Sequence, residues 1–172
     1  NLQNTASLGK MYLEDDELRM TIDDRRFTHL FELNLVSNIC KYSKLVFHLH
    51  RCNDGDIEGG NSHIKNNKLF KITYCAGMMN LATVELDSLS IEQTYNIFPD
   101  KEVDMKCTPF IEEVSYEDRN DTKDYLSSTD EFMERLNPDG LGIAVCSLNE
   151  NDFLLQIGSS RTTFYTVTSP GY

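Results

Sequence analysis

The chain of 172 residues is long enough for one globular domain, and a hydrophobic content of 40% is enough for a core of its own. Its 16 Lys and Arg against 28 Asp and Glu give a formal net charge of −12, and such a field repels phosphate backbones and anionic membranes. Composition therefore argues against direct nucleic-acid binding and membrane binding. It favours other proteins as partners, including partners with a basic surface, and it allows a homo-oligomer.

We treat residues 1–172 as a single domain. Because the sequence does not begin with Met, we expect it to be a fragment of a longer chain. The five cysteines are odd in number, widely spaced and without a C-x-x-C pair, which is typical of free thiols in a reducing compartment. There is also no long apolar run and no signal-like start. These features predict an intracellular protein, cytoplasmic or nuclear.

A hairpin and an ambiguous segment come first in chain order. Apolar residues alternate on both sides of an acidic turn at 14–17, which predicts two strands within residues 10–22. Residues 24–42 suit a helix capped by Asp23 or Asp24, while the alternation inside the same segment suits a strand. We favour the helix.

The middle of the chain reads mainly as strands separated by Gly, Asn and Asp. The predicted features are a strand over 44–51, a loop over 53–61, strands over 68–75 and 81–86, a short helix over 90–98, and one or two strands within 103–116.

The C-terminal third begins with a helix signal. Ser128 to Glu131 forms a capping box, and an Asn-Pro-Asp-Gly run ends the helix. Closely spaced strands are then predicted over 141–148, 153–157 and 162–168. The fold class predicted from these elements is α+β, mostly antiparallel β-sheet of about 8 to 10 strands, with one to three short helices and a C-terminal β-meander.

The predicted order of strand, helix and three strands occurs twice. This order is similar to that of one half of a sliding clamp, although the similarity is one of topology and no motif is shared. It depends on the helix predicted for residues 24–42. A sliding-clamp-like ring subunit is therefore one alternative for the function.

One short stretch, residues 47–52, reads F-H-L-H-R-C. On a strand the side chains alternate between the two faces of the sheet. The period places Leu45, Phe47 and Leu49 on one face, and we expect this face to lie in the core. Replacement of Phe47 should therefore cost far more stability than replacement of a histidine on the opposite face.

That opposite face carries two imidazoles and a thiol, which are ligands of zinc, copper and iron. His48, His50 and Cys52 are therefore candidate metal ligands, and a metal-dependent or thiol enzyme centred on them is a second alternative for the function. However, the glycine and the closely following Glu that accompany the H-x-H pair in cupin-like barrels are missing, and no second half-site is visible. We favour polar residues on a solvent or partner face, without a metal or cofactor.

The acidic residues concentrate between Glu112 and Glu134, where nine acidic residues accompany two basic ones. We interpret residues 112–130 as a mobile acidic loop that docks on a partner through its charge and its aromatic rings. The predicted partner-binding residues are Tyr116, Glu117, Asp118, Asp121, Asp124 and Tyr125. No catalytic or phosphate-binding motif occurs in the sequence, so we expect a non-catalytic intracellular protein–protein interaction or assembly module within a larger complex.

Overall fold

The computed structural model describes residues 5–161 except 49–51, 53–55, 76, 117–118 and 150–151, and it gives only the backbone of Tyr116, Arg119 and Asn120. The elements in chain order are β1 (Gly9–Glu14), β2 (Glu17–Asp23), β3 (Phe27–Asn34), β4 (Ile39–Val46), β5 (Ile57–Lys65), β6 (Lys68–Cys75), β7 (Met78–Glu85), β8 (Ser90–Ile97), β9 (Phe110–Tyr116), β10 (Arg119–Leu126), helix α1 (Thr129–Arg135), a 3₁₀ turn (Pro138–Gly140), β11 (Leu141–Ser147) and β12 (Phe153–Ser159).

All strand pairs are antiparallel between neighbours in sequence. Strands β1–β4 form the first sheet, β5–β8 form the second sheet, β9 and β10 form the acidic hairpin, and β11 and β12 form the C-terminal hairpin. This confirms the predicted fold class, a β-rich α+β protein. Among the described residues, no helix is long and apolar enough to cross a membrane.

The second sheet lies between the first sheet and the C-terminal hairpin. One of its faces packs against the first sheet through buried Leu30, Leu45, Phe47, Ile64, Leu69, Ala82 and Val84. Its other face packs against α1 and the C-terminal hairpin through Phe70, Ile72, Met79, Leu81, Met133, Leu141, Ile143 and Val145. Strand β5, the first of the second sheet, lies beside β11, the first of the C-terminal hairpin.

The helix predicted over 24–42 is wrong, because these residues form β3, a turn and the start of β4. Apolar residues at 27, 30, 31 and 35 satisfy a helical period, but pairing with β2 and β4 fixes the strand. Asn34 ends β3, since its side-chain oxygen accepts hydrogen bonds from the backbone N–H groups of Val36 and Ser37 at 3.2 and 2.8 Å. The similarity to half of a sliding clamp loses its basis with this helix.

The short helix predicted over 90–98 is also wrong, because Ser90–Ile97 is the outer strand β8 and pairs with β7. The predicted loop over 53–61 is wrong where it is described, since β5 begins at Ile57 and includes two glycines. A Cβ on Gly59 would lie 2.2 Å from the carbonyl oxygen of Pro138, and a Cβ on Gly60 would lie 2.2 Å from that of Arg25. The glycines therefore permit close packing of neighbouring layers instead of marking a loop.

The predicted hairpin within residues 10–22 is confirmed, as β1 and β2 pair from Gly9–Ile22 to Glu14–Glu17. The predicted N-cap is confirmed too, because the Ser128 hydroxyl accepts a hydrogen bond from the Glu131 backbone N–H and α1 begins at Thr129. The return bond of the box is shifted by one residue, since the Glu131 carboxylate accepts from the backbone N–H of Ser127 at 2.8 Å. Strands over 141–147 and 153–159 confirm the first two members of the C-terminal meander. The third, predicted over 162–168, lies outside the described residues.

Cys52 and Cys75 form a disulfide, which contradicts the prediction that all five cysteines are free thiols. Cys75 ends β6, and its buried side chain packs with Ile57 and Met78. Sequence spacing gave no signal for this pair, because 23 positions separate the two residues and only the fold brings them together. Cys40, Cys107 and Cys146 are free and exposed.

Candidate functional site

The most unusual surface is the face of the first sheet that points away from the second sheet, which we call the open face. Tyr12, Leu30 and Leu45 point towards the second sheet, so the alternate residues point outwards. Paired positions place these side chains together on the open face: Met11, Leu13, Leu18, Met20, Ile22, Phe27, His29, Phe31, Leu33, Cys40, Tyr42, Lys44 and Val46. None of them is acidic, although the chain as a whole carries a net charge of −12.

The open face is apolar and exposed. Met11 is 72% exposed, Leu13 65% and Tyr42 55%. In the middle of the sheet, the Tyr42 ring lies 5.1 Å from the ring of Phe31 and stacks on His29, whose Nδ1 lies 2.9 Å from the Tyr42 hydroxyl oxygen. A contiguous apolar surface of this kind marks an interaction site more often than a solvated face.

Behind the open face, the two sheets are joined by a buried polar cluster that the sequence did not reveal. The carboxylate of Asp23 accepts hydrogen bonds from Lys71 Nζ at 3.0 Å and Thr28 Oγ1 at 2.7 Å. It also accepts from the backbone N–H and the hydroxyl of Ser62, both at 2.8 Å. Burial lowers the pKa of Lys71, and the carboxylate of Asp23 opposes that shift. The cluster fixes the position of the first sheet on the second sheet.

The candidate metal residues are placed as follows. Leu45 and Phe47 are buried and His48 is exposed, as the predicted alternation requires, while His50 and Leu49 lie outside the described residues. Cys52 is oxidised in the disulfide and lacks the thiolate that a metal ligand or a nucleophile needs. In the described part of the chain, no three His, Cys, Asp or Glu side chains are grouped to hold a metal ion.

The acidic segment is a hairpin and not a loop, because β9 and β10 pair over most of their length. Residues 110–116 and 119–126 contain so many charged side chains that the alternation of apolar and polar residues typical of a strand was not recognised in the sequence. Tyr125 is 67% exposed and lies opposite Ile111. Asp121 and Asp124 are also exposed, while Glu117, Asp118 and the side chain of Tyr116 lie outside the described part of the structure.

Ion pairs hold the acidic hairpin, including a long one of 3.9 Å between Glu112 and Arg161. On one of its faces Glu113 and Lys123 form an exposed ion pair of 3.0 Å. On the other face Glu112 pairs with Arg135 of α1 at 2.8 Å. The structure therefore brings Asp121, Asp124 and Tyr125 onto one ordered element, and these three residues remain a predicted partner-binding surface.

A groove of about 660 Å³ lies where the strands β1, β5 and β11 approach one another, lined by side chains that include Tyr12, His63 and Cys146. The rings of Tyr12 and His63 meet edge to face, with 5.4 Å between their centroids. Burial lowers the pKa of His63 to about 4, helped by the positive charges of Lys10 and Lys65. Burial also raises the pKa of Tyr12 to about 12. Both rings are therefore neutral at pH 7, and the charged side chains that line the groove are those of Glu14 and Lys65.

The open face, the acidic hairpin and the groove are thus candidate functional surfaces within the described part of the chain. Of these, only the open face carries several large, exposed apolar side chains on one face of a sheet. Comparison with protein-family models, with curated protein sequences and with solved structures found no match to this chain.

Proposed function

We propose that this chain is a non-catalytic protein–protein interaction or assembly module within a larger complex, and that the open face is its docking surface. The observation that carries the proposal is the exposure of Met11, Leu13 and Tyr42 on one continuous sheet face. Burial of apolar surface contributes about 25 cal/mol per Å² removed from water, so this face gains most from a partner.

The partner expected on the open face is another β-sheet with an apolar face. Sheets pack face to face at about 10 Å with interdigitated side chains, and the fold already uses this contact twice. Both faces of the second sheet are covered in this way. The first sheet has only one face covered within the described residues, so a further sheet would complete the same pattern.

The test is affinity capture of the tagged chain from its source cell, followed by quantitative mass spectrometry. Three proteins are compared: the wild type, Leu13→Glu on the open face, and Ile91→Glu as a matched control. Ile91 is 53% exposed on β8, at the far edge of the second sheet. The proposal expects one set of proteins to be captured by the wild type and the control and lost with Leu13→Glu. Equal capture by all three would contradict it.

A second surface for the same function is the acidic hairpin. Asp121, Asp124 and Tyr125 are exposed on β10, with Asp124 and Tyr125 on opposite faces of the hairpin. Exposed acids on this hairpin suit a partner with a basic surface. Neutralisation of both acids should slow association and flatten its salt dependence, because long-range attraction acts on the encounter. Tyr125→Ala should instead speed dissociation, because a docked ring is a short-range contact. Unchanged kinetics for both variants at every ionic strength would remove this surface from the proposal.

An intracellular location, cytoplasmic or nuclear, is part of the proposal as well. It was inferred from five free thiols, and the Cys52–Cys75 disulfide removes two of them from that argument, since disulfides persist mainly in oxidising compartments. Cys40, Cys107 and Cys146 are the free cysteines of the structure. Alkylation of the protein in its source cell, followed by mass measurement, separates the two cases. Five modified thiols would place it in a reducing compartment, and three would place it in an oxidising one.

A further inference from the structure

Strand β4 forms the outer edge of the first sheet. Within the described residues it pairs only with β3, position by position from Asn34–Ile39 to Phe27–Val46 and without a register shift. All of its residues except Ser43 and Leu45 are exposed. An edge strand presents unpaired backbone N–H and C=O groups along its outer side. Because β4 contains no proline, it keeps all of its backbone donors. Its outer side is therefore a regular template for the addition of a further strand.

The edge strands β8 and β12 are less suited to this role than β4. The pairing of β8 with β7 contains a register shift between Thr83 and Val84. Strand β12 pairs regularly with β11, but it contains no charged residue. Strand β4 combines a regular edge with a charge of its own, and such a charge makes the choice of a partner selective.

Strand β4 is basic, although the chain as a whole has a net charge of −12. It carries exposed Lys41 and Lys44 and no acidic residue. Glu32 lies opposite Lys41 on β3, but its carboxylate is 3.6 Å from Nε of Arg19. Exposed Asp24 lies in the connection before β3, outside the positions that pair with β4. The residues that border the outer side of β4 are therefore more basic than acidic.

The charge of Lys44 remains available to a partner. Its ammonium lies over the Phe27 ring, 3.8 Å from the centroid, and a cation–π contact does not neutralise the cation. Salt screens exposed charges beyond about 8 Å at physiological ionic strength. The residues beside an added strand therefore decide its charge preference more than the net charge of the chain does.

We infer that β4 binds an extended acidic segment of another protein, which joins the four strands of the first sheet as a further strand. The inference rests on the proposed function of an interaction module, and it adds a docking site beside the open face. Main-chain hydrogen bonds supply the affinity, and acidic side chains opposite Lys41 and Lys44 supply the selectivity. A second copy of β4 does not fit, because full antiparallel pairing would set Lys41 of one copy against Lys44 of the other.

Cys40 allows a test of the position of the added strand, because it is a free, exposed thiol on β4. The probe is a synthetic peptide as long as β4, with Glu opposite Lys41 and Lys44 and a cysteine opposite Cys40. In a control peptide the cysteine is moved by one position and points to the other face. Cross-strand Cα atoms lie about 4.5 to 5.5 Å apart, within the range of a disulfide.

Both peptides are incubated in a glutathione redox buffer with the full chain carrying Cys107→Ser and Cys146→Ser, and the products are mapped by mass spectrometry. The first peptide should form a disulfide with Cys40, and the control peptide should not. Equal labelling by both peptides, or no labelling of Cys40, overturns the inference.

Fluorescence anisotropy of the labelled peptide without cysteine tests the charge preference. The variant Lys41→Glu with Lys44→Glu should bind the acidic peptide about tenfold more weakly or worse, and should prefer a peptide with Lys in place of Glu. The matched control is Lys101→Glu with Lys106→Glu. These two lysines are also exposed and also lie over phenylalanine rings, at 5.0 and 4.5 Å. The control should bind like the wild type, and an equal loss in both variants overturns the site on β4.

The outcomes are distinguishable from those of the proposed function. Leu13 lies on β1, at the opposite edge of the first sheet, so Leu13→Glu should bind the acidic peptide like the wild type. Circular dichroism checks that each variant is folded. A wild type that does not bind the peptide, yet captures proteins through Leu13, overturns this inference alone. Peptide binding through β4, together with capture that does not depend on Leu13, supports the edge site and removes the open face as the docking surface.

Discussion

Removal of the Asp23 carboxylate should destabilise the protein more than any surface change. Asp23→Ala leaves the ammonium of Lys71, which is 0% exposed, with only the carbonyl oxygens of Asp24 and Phe27 at 3.1 and 3.3 Å. Loss of one partner from a buried ion pair costs about 3 to 5 kcal/mol. The orphaned backbone N–H of Ser62 adds about 1 to 3 kcal/mol. We therefore expect a loss of about 4 to 8 kcal/mol, which is a large share of the total stability of a domain.

The reverse truncation should be milder. Lys71→Met leaves the Asp23 carboxylate with the donors of Thr28 and Ser62 at 2.7 to 2.8 Å, so we expect a loss of about 2 to 4 kcal/mol. The two single losses should also not add, because Lys71 is left unpaired only in Asp23→Ala, while Lys10, whose Nζ lies 3.9 Å from Asp23, loses that carboxylate in Asp23→Ala and in the double variant alike. A coupling of about 2 kcal/mol or more in the double-mutant cycle is expected.

Urea denaturation measures these effects, with the midpoint and the slope fitted separately for each variant. The matched control is Lys123→Ala, which breaks the exposed Glu113–Lys123 pair of 3.0 Å and should cost about 1 kcal/mol or less. If Asp23→Ala costs no more than this control, or if the two single losses add in the double variant, the buried pair does not hold the sheets together.

Three further predictions concern the core, the groove and the disulfide. Phe47→Ala should lower the free energy of unfolding, measured by urea denaturation, by about 3 to 5 kcal/mol. His48→Ala, on the exposed side of the same segment, should leave it unchanged. If His48→Ala were the more destabilising of the two, the segment would face the other way. The pKa of His63 in the folded protein is about 4, below its ordinary value of 6.5. As the pH is lowered from 6.5 to 4, the unfolded chain therefore binds the proton first, and the folded state should lose about 1 to 2 kcal/mol of stability, a value that allows for the partial exposure of the ring. In His63→Gln this dependence of stability on pH should be flatter. Reduction of Cys52–Cys75, which closes a loop across 23 positions, should cost about 3 kcal/mol; identical urea midpoints with and without reductant would count against the disulfide.

The parts of the fold that could be predicted from the sequence are those in which neighbouring residues supply the signal. The Ser128 cap and the acidic turn of the first hairpin depend on residues within one turn of each other, and both were found. The strand over 27–34 was predicted as a helix because its apolar residues fit both the helical and the strand period, and only pairing with β2 and β4 decides between the two. Local patterns cannot report such long-range choices.

The candidate site shows the same division. The alternation of Met11, Leu13 and Met20 was visible in the sequence and predicted a hairpin, but such a pattern does not say whether another layer covers the apolar face. Lys71 and Asp23 gave no signal, since 47 residues lie between them in the chain and Nζ and Oδ1 come within 3.0 Å only in the stacked sheets. The disulfide was missed for the same reason.

The stacking of the second sheet between two neighbours also has a consequence for the motions of the chain. Among the described residues, the main contacts of the first sheet and of the C-terminal hairpin are with the second sheet, although β1 and β11 both line the groove. The stack therefore approximates a short one-dimensional array in which stability is largely the sum of nearest-neighbour terms. The first sheet loses one interface when it detaches, while the second sheet must lose two. Amide exchange should therefore be slowest in β6 and β7, whose residues are almost all buried, and fastest in β1 and β4. A partner seated on the first sheet would turn an end layer into an inner one and slow the opening of the whole array.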